Sequence, residues 1–197
     1  MNRPTRIIAS AAVMGLALAT PAFAHTGVGL HGHGFAAGFL HPLMGLDHML
    51  AMLGVGVWAA QLGKRATWLV PAAFVAVMIA GAGLALSGIA MPMVEFGIAA
   101  SVLMIGGLIA IGTRLPVGVA MSLVGLFALF HGHAHGTELP GFAHPAAYGA
   151  GFVVATALLH AGGVGIALAV RTHAVKLPFR VAGAAMAVVG GGLLLGA

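Results

Sequence analysis

The side chains best suited to chemistry in this sequence are eleven histidines and three acids. Three of these residues, His41, Asp47 and His48, lie together in the segment "FLHPLMGLDHMLAM", residues 39–52. Imidazole nitrogens suit transition metals such as nickel, copper and zinc, and a carboxylate adds negative charge for a cation. The segment is otherwise apolar, so its polar residues predict a buried metal site.

A second group of candidate ligands lies in "FHGHAHGTE", residues 130–138. His131 and His135 are four residues apart, so one helical face presents both, and Glu138 follows them. His133 points elsewhere if this segment is helical. The alternative is an exposed histidine-rich loop that captures metal loosely or not at all. Four more histidines are candidate metal ligands: His25, His31, His33 and His160.

Met44, Met49 and Met52 surround the Asp47–His48 pair, but methionine in an apolar segment is more often packing than ligand. His160 also has an ordinary interpretation, as a histidine hydrogen-bonded to a neighbouring helix. These two alternatives stay open on the sequence alone.

The elements that carry these residues must lie in lipid. The chain is 61% hydrophobic and 6% charged, whereas soluble domains carry roughly 25% charged residues. Its 32 glycines are spread through apolar runs, where small residues let membrane helices approach closely. The absence of cysteine excludes disulfides and thiolate metal sites.

The first 24 residues are typical of a secretory signal peptide. Arg3 and Arg6 precede the apolar core "IIASAAVMGLALA", and "AFA" at 22–24 matches a small-residue cleavage site. We therefore expect cleavage after Ala24, with a retained first helix as the alternative. This leaves residues 25–197 as a single membrane domain.

The fold class predicted for that domain is an all-α integral membrane protein, a six-helix transmembrane bundle. A span needs about 20 apolar residues, and Gly/Pro or charged breaks separate six such stretches. The predicted spans are about 35–62, 67–87, 93–112, 115–135, 145–170 and 178–196.

Basic residues predict the orientation of this bundle. A cleaved signal places the mature N-terminus outside, and all six later basic residues then fall on the inner side. Because they are scattered, the net charge of +5 indicates topology and not nucleic-acid binding. Asp47 and His48 then lie near mid-membrane, where an ionised Asp costs about 2.5–3.5 kcal/mol. No basic residue reaches that depth, which leaves an imidazolium or a bound cation as partner.

His41 and His48 are seven residues apart, about 10 Å along a regular helix, too far to share one ion. Pro42 and Gly45 lie between them and favour a broken helix, as at the ion sites of many transporters. Such a break would swing His41 toward Asp47 and His48. The alternative is a proline-kinked helix with His41 at the interface.

With these motifs the chain resembles the HupE/UreJ family of bacterial nickel/cobalt permeases. The resemblance covers nearly the whole chain and is carried by "HPLMGLDHMLAM", "FHGHAHGTE" and, more weakly, "TALLHAGG". It implies secondary, inward transport of Ni(II) or Co(II) across the inner membrane, with the mature N-terminus in the periplasm, for hydrogenase or urease maturation. The residues it implies for the site are His41, Asp47, His48, His131, His135 and Glu138.

On this interpretation the protein is not an enzyme and holds no tight cofactor, and the metal is its substrate. Its partners are the divalent ion and the lipid bilayer; maturation proteins and a homo-oligomer stay open. Two alternatives remain: an intramembrane haem-binding protein, and an outer-face metal-binding accessory protein that does not conduct. A membrane hydrolase is disfavoured, because the sequence has neither HExxH nor GxSxG.

Overall fold

The computed structural model describes residues 34–63, 65–139, 144–169 and 176–196. Within these ranges the protein is all-helical, without strands, which confirms that part of the predicted fold class. The predicted signal peptide, together with His25, His31 and His33, lies outside the described residues. The seven helices are α1 (Phe35–Met44), α2 (Leu46–Leu62), α3 (Ala66–Leu86), α4 (Val94–Ile111), α5 (Val117–Thr137), α6 (Pro145–Ala169) and α7 (Lys176–Leu194).

Five of these helices, α3 to α7, are long and apolar enough to cross a membrane. Helices α1 and α2 reach that length only as a pair, and they meet at Gly45 with a bend of 86°. The break predicted in this segment is therefore present, with Pro42 retained inside α1. The described residues contain five candidate spans, or six if the bent pair is one span.

Helix α2 lies at the centre of the bundle and contacts every other described helix. Its Met52, Val55 and Trp58 are fully buried. Many large apolar side chains instead point outward, including Trp68 and Leu158. A water-soluble protein would bury such residues, so the exposed apolar surface fits a bundle whose solvent is lipid.

Glycine allows the closest helix contacts. A Cβ on Gly56 of α2 would overlap the backbone of His160, and one on Gly163 of α6 would overlap that of Leu53. Only a residue without a side chain lets two backbones approach this far. The same reciprocal arrangement joins α3 to α5 at Gly81 and Gly132.

The two ends of the bundle differ in chemistry. At one end, here called the arginine end, Arg65 and Arg114 are exposed and the Arg180 guanidinium donates to the carbonyl of Ile111 at 3.4 Å. At the opposite end, here called the histidine end, α5 finishes and α6 begins. The bent pair α1/α2 packs against these two helices there.

Candidate metal site

The bend at Gly45 brings His41 and His48 onto the same neighbour, His135 of α5. The ring centroid of His135 lies 4.8 Å from that of His41 and 4.5 Å from that of His48. Two histidines too far apart on a straight helix therefore meet at one imidazole, because α1 and α2 approach α5 from different directions.

The carboxylate of Glu138 faces this meeting point. The Nε2 of His41 donates to Glu138 Oε2 at 2.8 Å, and His135 Nδ1 lies 3.9 Å from the same oxygen. His41, His135 and Glu138 each offer a ligand atom within 4.8 Å of the others. The side chains of His41 and Glu138 are 33% and 25% exposed, so this is the less buried part of the site.

Asp47 holds His48 in one orientation. Its Oδ1 accepts from the backbone N–H of His48 at 2.8 Å and from the imidazole Nδ1 at 2.9 Å. Since a carboxylate only accepts, the Nδ1 carries the proton and Nε2 keeps its lone pair. Among the described residues Nε2 has no hydrogen-bond partner. Metal-binding histidines are commonly supported by a carboxylate in this way.

His131 is held in an equivalent way by a serine. The Ser101 hydroxyl donates its one hydrogen to the carbonyl of Ile98 at 2.6 Å, so at 3.0 Å it accepts from His131 Nε2. The lone pair of His131 is thus on Nδ1, which has no partner within the described part of the chain. The ring of His131 is fully buried and lies 4.8 Å from that of His48.

Local helix geometry explains why these residues converge. His131 and His135 occupy the same face of α5, one turn apart, as their spacing predicted. Asp47 lies in the first turn of α2, where the helix dipole favours a negative charge. Gly45 has φ −89° and ψ 118°, which any residue can adopt. Its role is spatial, because a Cβ there would lie 2.9 Å from Asp47 Oδ1.

His133 and His160 lie outside this group. The Nε2 of His133 donates to the carbonyl of Ile89 at 2.8 Å, so it ties α5 to the connection between α3 and α4. The ring of Phe74 contacts both His160 and His131, with its centroid 5.0 Å from that of His160 and 5.5 Å from that of His131. His160 is 2% exposed.

Three contact residues were not identified from the sequence. Ser101 supports His131, the Phe152 ring lies 3.8 Å from that of His135, and the Tyr148 ring lies 6.0 Å from that of His41. Ser101 could have been identified as a candidate from the sequence, because its hydroxyl lies inside the apolar run "IAASVLMIGG". The two aromatic residues could not have been, since aromatic side chains are ordinary in such helices.

Six residues thus form one group, here called the histidine–carboxylate cluster: His41, Asp47, His48, His131, His135 and Glu138. The group combines imidazole lone pairs with two carboxylates, and α1 to α6 contain no Lys or Arg. Donors of this kind suit a divalent first-row transition metal. The Ser101 hydroxyl, which touches this group at His131, already donates its hydrogen to the carbonyl of Ile98.

Comparison with known proteins identifies the family of this chain. The family model described as "HupE / UreJ protein" matches residues 10–193. A curated relative, "Protein HupE" of Rhizobium leguminosarum bv. viciae, is 51% identical over 180 residues, which cover 91% of this chain and 94% of the relative. No solved structure matches the chain.

Proposed function

Because this chain belongs to the HupE/UreJ family, we propose that it is a secondary permease that carries Ni(II) or Co(II) inward across the bacterial inner membrane. The family is associated with nickel and cobalt uptake for hydrogenase and urease, and its members are transporter or accessory proteins. The metal ion is therefore the substrate, and a metalloenzyme maturation system is its destination.

One observation carries this proposal: the histidine–carboxylate cluster gathers donors from both halves of the broken pair α1/α2 and from the end of α5. The carboxylate of Asp47, only 16% exposed inside a membrane domain, needs a positive partner. The nearest basic side chains described are Arg65, Arg114 and Arg180, all at the arginine end. A divalent cation bound by the imidazoles supplies the missing charge.

The exposure of the cluster suggests an order of events. His41 and Glu138 are open to water and capture the ion first. His135 touches both His41 and His48, so it passes the ion from the open part to the buried part. His48 and His131 then receive it through the lone pairs that Asp47 and Ser101 leave free. In this scheme Asp47 is a positioning residue that acts through His48.

The membrane potential is the energy source we propose. Moving one charge inward is worth about 2.3 kcal/mol per 100 mV, so a divalent ion gains about 4.6 kcal/mol. Since each tenfold concentration ratio costs about 1.36 kcal/mol, a potential of 100 mV supports accumulation of the ion on the order of a thousandfold. The sequence contains no G-x4-G-K-[ST] motif for nucleotide hydrolysis, which agrees with a gradient-driven mechanism.

Uptake into sealed proteoliposomes tests the function. Purified protein is reconstituted with an inside-negative potential set by valinomycin and potassium, and radioactive nickel, cobalt or zinc is added outside. We expect saturable nickel or cobalt uptake that rises with potential and is lost in His48→Gln. His144→Gln, at an exposed histidine beside the start of α6, should transport normally. Tight metal binding without uptake would instead make the protein a non-conducting accessory.

A further inference from the structure

A second set of donor atoms lies where α2, α3 and α6 meet. The hydroxyl of Thr156 is 3.4 Å from the sulfur of Met52 and 3.8 Å from that of Met78. All three side chains are fully buried. Two thioethers from different helices thus converge on one hydroxyl inside the membrane domain.

His160 belongs to this set by its position on α6. It follows Thr156 by four residues, so both lie on the same helix face about 6 Å apart along the axis. Neither ring nitrogen of His160 has a hydrogen-bond partner among the described residues. A buried imidazole left without partners is unfavourable, and a ligand that accepts its lone pair removes that cost.

The ring of Phe74 contacts one histidine of this set and one of the histidine–carboxylate cluster. It lies edge-on to His160, with an interplanar angle of 85°, and also faces His131. Phe74 and Met78 are four residues apart on α3, so both point toward α6. The set comprises Met52, Met78, Thr156 and His160 and is called the thioether group below.

The donors of the thioether group are neutral. Of the three acids in the sequence, Asp47 and Glu138 belong to the cluster and Glu95 is exposed at the start of α4. Thioethers and imidazole are soft to intermediate ligands and suit late transition metals over Mg or Ca. Without a carboxylate such a site binds a divalent ion more weakly, and weak binding allows an ion to leave.

We propose that the thioether group is a second, inner binding site for the same transition-metal ion. His160 is its principal ligand, and the sulfur atoms of Met52 and Met78 are further donors. Its use as an exit step rests on the proposed function, whereas binding itself does not require transport. The ion would pass from His131 past the ring of Phe74 to His160.

Equilibrium binding of Ni(II) to purified full-length protein in detergent tests the site. Wild-type protein should show a tighter and a weaker class of bound metal. His160→Gln should remove the weaker class, retain the tighter one and lower uptake in vesicles at least tenfold. The control is His133→Gln, another buried histidine, whose ring is committed to the carbonyl of Ile89. It should keep both classes.

A methionine variant tests the sulfur donors. Leucine nearly conserves the volume of methionine, so Met52→Leu combined with Met78→Leu should fold. The affinity of the weaker class should fall about tenfold, and sulfur scattering in the X-ray absorption spectrum of nickel-loaded protein should disappear. An unchanged isotherm and spectrum would overturn the inner site. If His160→Gln cannot be purified, this double variant decides the question.

The two proposals fail in different ways. A weaker class that His160→Gln removes, in a protein whose vesicles take up no metal, would refute the permease and leave the inner site standing. Normal uptake by both His160→Gln and the methionine variant, with one class of bound metal throughout, would refute the inner site and leave the permease standing.

Discussion

The histidine–carboxylate cluster and the thioether group both contact Phe74 and differ in construction. The cluster contains two carboxylates, is partly open to water and sits where the backbone breaks at Gly45. The thioether group is neutral, fully buried and carried by unbroken helices. In the proposed permease, charge and irregular backbone would thus serve where an ion leaves water, and neutral donors where it is released.

The two regions also differ in hydrogen-bond support. In the cluster, the rings of His41, His48 and His131 each have one nitrogen held, by Glu138, Asp47 and Ser101 respectively. The ring of His160 has no such support among the described residues. Fixed tautomers favour tight, selective binding, whereas an unsupported ring favours brief occupancy. Each prediction below removes one element of this contrast.

The largest effect is expected from His135→Gln, because among the described residues His135 is the ring that contacts both His41 and His48. Its loss should lower uptake by more than the 10–100-fold typical of outer-shell changes. Uptake assays in proteoliposomes check this, with His133→Gln on the same helix as control. Uptake within about threefold of wild type would remove His135 from the path.

The next largest effect is expected from Asp47→Asn. Asparagine keeps the shape but loses the charge that supports His48 Nδ1–H, so nickel affinity at the tighter class should fall about 10–100-fold. The weaker class should be unaffected, since the thioether group does not touch Asp47. Binding isotherms measure both. Equal loss from both classes would show that the two regions are not independent.

Gly45→Ala tests the glycine at the break between α1 and α2. The added Cβ would lie 2.9 Å from Asp47 Oδ1 and 3.2 Å from His48 Nδ1, so the pair must shift. We expect roughly tenfold weaker binding at the tighter class, since supporting interactions of this kind carry 10–100-fold. Gly83→Ala on α3 is the control, because its Cβ would meet no atom within 4 Å. Equal affinities in the two variants would contradict a spatial role for Gly45.

The smallest effect is expected from Ser101→Ala. His131 would lose the acceptor that fixes its tautomer, and we expect affinity at the tighter class to fall up to about tenfold, the low end for such supports. Ser122→Ala, whose exposed hydroxyl bonds only within its own helix, serves as comparison. If both serine variants bind nickel like wild type, the hydrogen bond from His131 to Ser101 does not contribute to metal binding.

Much of the site was predictable because its parts are local. His131 and His135 share a face through their four-residue spacing, and Gly45 beside Pro42 indicated a break before any contact was known. The partner of His48 was also local, since Asp47 precedes it directly. Met52 was interpreted as packing, and its contact with Thr156 could not be anticipated, because the two residues lie 104 positions apart.

The sequence alone determined an all-helical membrane chain and the kinds of donor atom it offers, because both depend on composition and short-range spacing. Only the tertiary structure decided that Glu138 bonds His41 across 97 residues and that Ser101 orients His131. The physical reason is that helices apolar on every side carry no amphipathic stripe to mark the inward face. In lipid, close glycine contacts decide which faces meet, and those contacts exist only in the assembled bundle.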